Sequence, residues 1–162
     1  LHMRSHSFPT RRSSDLDYAI QKAVELGVSE IQLLTSDRCE MRLKYDRDQK
    51  KLDHWQGIAI AACEQCGLNI VPKILAPISL EKWLETELPK TKLVLAPNKD
   101  ETDVLADATL DIALLIGPEG GLSEAEITAA NAKGFLNWCI GERVLRTETA
   151  PVVALSILNY NL

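Results

Sequence analysis

Apolar residues recur at helical spacing early in the chain. In 17–26, Ile20, Ala23 and Val24 share one face and Gly27 follows as a stop, so the spacing predicts a helix there. The run Ile31-Gln32-Leu33-Leu34 predicts a short strand, and the polar residues 35–46 a connection. Leu52, Trp55, Ala59, Ala62 and Cys66 lie three and four apart, which predicts the longest helix over 48–66, ended by Gly67. Ile70–Leu75 reads as a weaker strand. Pro72 inside it favours a sheet edge, because proline lacks the N–H a central ladder needs. Ser79–Leu88 reads as a short helix with Ser79 as N-cap and Pro89 closing it.

Three further apolar runs follow, each leading into a polar or glycine-rich segment. Lys92–Ala96 runs into Pro97-Asn98, Ile112–Ile116 into Gly117-Pro118-Glu119-Gly120-Gly121, and Leu136–Ile140 into Gly141-Glu142-Arg143. Apolar strands without alternation, separated by helices, predict an α/β fold: a parallel sheet with helices on both faces. The helix after Gly121 has a full set of starting signals. Ser123 and Glu126 form a capping box, Leu122 and Ile127 a hydrophobic staple, and Gly134 ends it. Its amino end aims backbone N–H groups at the glycine loop, a place suited to an anion or a closely approaching ligand.

Composition adds limits. The chain has 162 residues, 46% apolar and 25% charged, the profile of one globular domain. Its longest unbroken apolar run, Ile58–Cys63, is far short of the roughly 20 residues of a membrane span, so no membrane role is expected. Residues 1–15 show no periodicity, and SFPTRRSSDL resembles translated sequencing-adapter read-through. The expectation is a non-native leader at 1–15 and a single domain over 16–162. Without that leader, 15 basic side chains face 22 acidic ones, a net of −7, which disfavours generic binding to a phosphate backbone.

Cys63 and Cys66 form a CxxC, but Cys39 and Cys139 do not complete a zinc site, and the pair falls inside a helical segment. Buried, reduced helix cysteines are expected, with no metal, as suits a cytoplasmic protein. The basic stretch Arg42, Lys44, Arg47, Lys50, Lys51 is interleaved with aspartates and reads as a solvated face. His54, beside Trp55, offers no catalytic arrangement.

Two motifs carry candidate chemistry. GPEGGLSEAE (117–126) is either a plain strand-to-helix turn or a ligand loop. It lacks the P-loop and dinucleotide fingerprints, and Glu119 disfavours a phosphate, which leaves a neutral or cationic ligand. GERVLRTETA (141–150) is either a solvated helix start, capped by Thr147 or Thr149, or a loop that touches an apolar partner through Val144 and Leu145.

Taken together, DYAIQKAVELGVSEIQLLTSDRC (17–39), ACEQCG (62–67), LLIGPEGGLSEAEI (114–127) and GERVLRTETA (141–150) resemble the SPOUT methyltransferases, in particular the family that methylates uridine N3 in 16S ribosomal RNA. The resemblance implies a SPOUT-type sheet with a C-terminal deep trefoil knot, a rare topology. It implies S-adenosylmethionine as cofactor, bound by Leu95, Ala96, Ile116, Gly117, Glu119, Gly120, Gly121, Ile140, Gly141, Leu145 and Thr147. Arg146 would stabilise the uridine anion or orient the base, with Glu148 or Glu119 accepting its proton. The implied partners are 16S ribosomal RNA or the small ribosomal subunit and a second copy of the chain, in the cytoplasm.

Family members usually carry an additional PUA-like RNA-binding domain at the amino end, and the expectation is a chain without it; Leu68 and Ile70 stand where arginines are expected. The competing expectations are therefore a cofactor-binding domain without RNA methylation, or an enzyme acting on ribose 2′-O or on tRNA.

Overall fold

The computed structural model describes residues 2–4, 13–36, 45–97, 104–106, 111–118, 120–141, 143, 145–146 and 148–161. Its elements run β1 (His2–Arg4), α1 (Ser13–Glu25), β2 (Glu30–Thr35), α2 (Tyr45–Cys66), β3 (Lys73–Ser79), α3 (Leu80–Leu84), β4 (Thr91–Leu95), β5 (Asp111–Leu115), α4 (Glu124–Ala132), β6 (Leu136–Trp138) and α5 (Thr149–Asn161). The strands form one sheet in the order β3-β2-β1-β5-β4-β6, and every recorded pairing is parallel.

The period-two alternation of strands sorts the core into two layers. Ile31, Leu33, Leu93, Ile112, Leu114 and Ile116 pack with α1, α2 and α5, whose Ile20, Val24, Trp55, Ala59, Leu155 and Leu158 are buried. On the other face Leu34, Val94, Ala113 and Leu115 meet α3, α4 and Phe135. There the Trp83 and Phe135 rings lie 5.6 Å apart, in a tilted contact. The expected α/β sheet with both faces covered is therefore present. Among the described residues no helix is long and apolar enough to cross a membrane, and no group of three or more metal-ligating side chains is gathered.

Several boundaries differ from the sequence expectation, each for a physical reason. The stretch 1–15, expected to lie outside the fold, contributes β1, which sits between β2 and β5; Met3 pairs with Ile112, and Arg4 with both Ala113 and Glu30. A three-residue strand is too short to display periodicity. Helix α1 starts at Ser13, four residues earlier than expected, and Asp15 in its first turn suits the positive end of the helix.

Strand β3 is the sheet edge, as expected, but begins after Pro72 and contains Pro77. Gln32 pairs with Leu75 and Leu34 with Ile78, so Leu33 faces both Ala76 and Pro77. This bulge seats the proline where the ladder is already interrupted. The buried Gln32 amide donates to Ala76 O at 2.7 Å and Leu33 O at 2.9 Å, satisfying carbonyls around the irregularity. The side chain of Gln56 on α2 pairs with the start of the same strand, accepting from Ile74 N and donating to Pro72 O, both at 3.1 Å.

Helix α3 stops at Leu84 rather than Leu88, because Thr86 turns back and donates its hydroxyl to Trp83 O at 2.6 Å. Of the two cysteines expected to be buried in α2, only Cys63 is; Cys66 is exposed, with Glu64 and Gln65, in the last turn. Burial, followed by the nearby Cys66 and Glu64, pushes the Cys63 thiol above its ordinary pKa. Residues 37–44, with Cys39, Arg42 and Lys44 and most of the expected polar connection, lie outside the described residues.

Candidate functional site

In the sheet order β5-β4-β6, three neighbouring parallel strands end at one edge, and the segments that follow them converge. The backbone N–H of Ala96, just past β4, donates to Trp138 O at the end of β6 at 3.2 Å, tying two of these segments together. Between them lies a cleft of about 400 Å³. This is the size of a small-molecule site, and the carboxyl edge of an open parallel sheet is where such sites form.

Leu95, Ala96 and Pro97 supply one wall, Ile116, Gly117, Pro118, Gly121 and Leu122 a second, and Trp138, Cys139, Ile140 and Gly141 a third. Ile127, Arg143, Leu145 and Ala150 complete the lining. The cleft draws on both cores, with Ile116 and Trp138 from one layer and Leu122 from the other. Its surface is mostly apolar, and Arg143 is the one charged side chain among its described lining residues.

The loop after β5 is held by short contacts. Gly121 N donates to Pro118 O at 2.7 Å and Gly121 has φ 76°, a left-handed turn position. Leu122 folds back over Gly117 so closely that a Cβ there would lie 2.9 Å from Leu122 Cγ and 3.0 Å from Leu122 N. The expected capping box is formed: Glu126 N donates to Ser123 Oγ at 3.2 Å and Ser123 N to Glu126 Oε1 at 3.0 Å. It fixes where α4 starts and therefore how Leu122 and Ile127 face the cleft. It also satisfies the Ser123 and Glu126 amides within the chain, so the amino end of α4 offers fewer free donors to a ligand than the sequence suggested.

Of the residues expected around the cofactor, Leu95, Ala96, Ile116, Gly117, Gly121, Ile140, Gly141 and Leu145 line this one cleft. Gly120 is exposed and outside the lining. Glu119 and Thr147 fall outside the described residues. Arg146 is 84% exposed and lies outside the lining, 4.0 Å from Glu148. The Arg146 carbonyl accepts from Thr149 N at 2.9 Å and Ala150 N at 3.0 Å, which anchors it at the start of α5. Thr149 is the first residue inside that helix rather than its cap.

Sequence reasoning missed Pro97, Leu122, Ile127, Trp138, Cys139 and Ala150 as lining residues. Arg143 lies between Ile140 and Leu145, in the segment that the resemblance assigns to the cofactor pocket. Ile127 was marked only as the staple partner of Leu122, and its place in the cleft depends on how α4 packs.

A family model described as an RNA methyltransferase domain matches residues 7–159. The chain is 38% identical over 149 residues to the ribosomal RNA small subunit methyltransferase E of Buchnera aphidicola subsp. Schizaphis graminum, covering 91% of this chain and 61% of that protein. It is 30% identical to the protein of the same name from Bacillus subtilis, covering 92% of this chain and 62% of that one.

A Legionella pneumophila methyltransferase solved with bound cofactor SAM superposes with a TM-score of 0.92 and 37% identity, covering 99% of this chain and 66% of that one. The Neisseria gonorrhoeae ribosomal RNA small subunit methyltransferase E, bound to S-adenosyl methionine, gives 0.86 and 36%, covering 98% and 66%. The chain thus spans less than two thirds of the length of each of these relatives.

Proposed function

Given that the chain belongs to the RNA methyltransferase domain family, we propose that it uses S-adenosylmethionine to methylate N3 of a uridine in 16S ribosomal RNA. The observation that carries this reading is the convergence of the segments after β4, β5 and β6 on one apolar cleft at the sheet's carboxyl edge. The Legionella and Neisseria proteins, similar over nearly the whole chain, were solved with this cofactor.

The residues present suit the group. The volume accommodates an adenosyl ligand, and Ile116, Ile140 and Leu145 give apolar walls for its ring and ribose faces. The segments Leu95–Pro97 and Trp138–Gly141 flank the cleft and would bring backbone groups to the edge of an adenine. Gly117, with no Cβ, lets Leu122 close tightly over the loop that forms one wall of the cleft.

When bound, the cofactor supplies an electrophilic methyl group on a sulfonium. The chain's own task is to present a nucleophile to it. Uridine N3 attacks only after losing its proton, so the site must turn the base out of its stack, hold it and favour its anion. In this proposal Arg146, exposed just before α5 with its carbonyl held by Thr149 N and Ala150 N, orients the base and stabilises that negative charge. In the same proposal Glu148, 4.0 Å from Arg146, takes the proton. Glu119 and Thr147 complete the proposal as a second carboxylate and a cofactor contact.

On this reading the path through the β4, β5 and β6 segments is a deep trefoil knot, the working unit is a homodimer, and the target is met in the cytoplasm. A second reading, cofactor binding without RNA methylation, draws on Leu68 and Ile70. They are 41% and 84% exposed where the family resemblance expects arginines, and so present apolar surface instead of charge.

One assay separates the two. The chain is incubated with methyl-labelled cofactor and 16S ribosomal RNA lacking the modification, and the RNA is digested to nucleosides. Label in 3-methyluridine, reduced about a hundredfold by Arg146→Ala, is expected. Cofactor binding with no label in RNA supports the second reading, and label in a 2′-O-methylated nucleoside overturns the N3 assignment.

A further inference from the structure

Arg143 stands apart in the cleft. Every other described lining residue is uncharged, and most are aliphatic, glycine or proline. Arg143 is exposed, and it makes no hydrogen bond or ion pair with any described residue. It follows the wall Trp138–Gly141 and precedes Leu145, which places a guanidinium at the rim of an apolar cavity.

We propose that Arg143 binds the carboxylate of the amino-acid tail of the cofactor and so fixes which end of the ligand faces out. This deepens the function proposed above and rests on the cleft being the cofactor site. S-Adenosylmethionine has two unlike ends: an adenosine that an apolar cleft can cover, and a tail bearing a carboxylate and an ammonium. A carboxylate left unpaired against apolar walls loses its hydration without replacement. Among the described lining residues one charged side chain can replace it, and a guanidinium fork fits a carboxylate with two parallel hydrogen bonds. The sulfonium is itself cationic, so Arg143 serves the tail and stays clear of the reacting centre. Its position at the rim keeps the charged pair in contact with water while the adenosine is buried deeper.

Two adenosine thioethers test this without any turnover. S-Adenosylhomocysteine carries the amino-acid tail, and 5′-methylthioadenosine lacks it. Both are titrated calorimetrically into the full chain and into Arg143→Ala and Arg143→Lys, with circular dichroism checking that each variant is folded. The expected result is that Arg143→Ala weakens S-adenosylhomocysteine about tenfold or more and leaves 5′-methylthioadenosine within about twofold. Arg143→Lys, which keeps a point charge but not the fork, recovers part of the loss.

Equal losses for both ligands would overturn the proposal by making Arg143 a packing residue. No loss for either would overturn it by leaving Arg143 to another partner, such as an RNA phosphate. If the parent chain binds neither compound, the cleft reading fails, and this proposal with it. That outcome is distinct from a parent that binds both compounds equally, which contradicts Arg143 alone.

Discussion

At the scale of single residues, the site depends on a close approach between Gly117 and Leu122. A Cβ at position 117 would meet a backbone nitrogen at 3.0 Å as well as a side-chain carbon at 2.9 Å, and the backbone cannot swing away as a flexible side chain would. Gly117→Ala should therefore shift the loop, lower stability by about 1–3 kcal/mol and weaken cofactor binding; thermal unfolding and calorimetry on the same sample check both. Cys63 gives a second expectation. Its raised pKa means the fold holds the neutral thiol, a contribution complete below the ordinary thiol pKa and lost as pH rises through the folded value. Urea unfolding of the parent and Cys63→Ala at neutral and alkaline pH should show their stability difference narrowing at the alkaline end.

At the scale of elements, the structure separates what was legible along the chain from what was not. The Ser123–Glu126 box is a local code: two residues three apart satisfy one another wherever the helix sits, and the structure forms that pair. The apolar stripe of α2 was readable for the same reason, although its final member, Cys66, is exposed in the last turn. Strand β3 was harder. Pro72 rightly suggested an edge, but the strand begins beyond it and carries Pro77 in a bulge opposite Leu33. That bulge depends on Gln32, a residue of another strand, whose amide reaches Ala76 O. Gln32→Ala should leave those carbonyls short of a donor and cost about 1–3 kcal/mol, measured by chemical denaturation, with the amides of β2 and β3 exchanging faster.

At the scale of the molecule, the site arises from strand order. Neighbours in the sheet, β5, β4 and β6, are not in chain order, so the meeting of Leu95, Ile116 and Ile140 follows from no local pattern. The resemblance to a known family brought those residues together before the fold did. It left out Trp138 and Ile127, which enter the cleft through packing.

The same scale assigns β1 its place. A strand paired on both sides, with β2 and β5, cannot lose an N–H without disturbing the sheet. Met3→Pro should lower the midpoint of thermal unfolding by an amount corresponding to about 3 kcal/mol, while Ile70→Pro, outside the strands and 84% exposed, should change it little.

Binding of S-adenosylmethionine in the cleft is tested by its calorimetric titration into the full chain beside Leu145→Glu, which places a charge in the half-buried wall. One saturable site per chain is expected, with a dissociation constant on the order of micromolar, weakened at least tenfold in a variant that remains folded. No saturable binding by the parent, or equal binding by the folded variant, would contradict it.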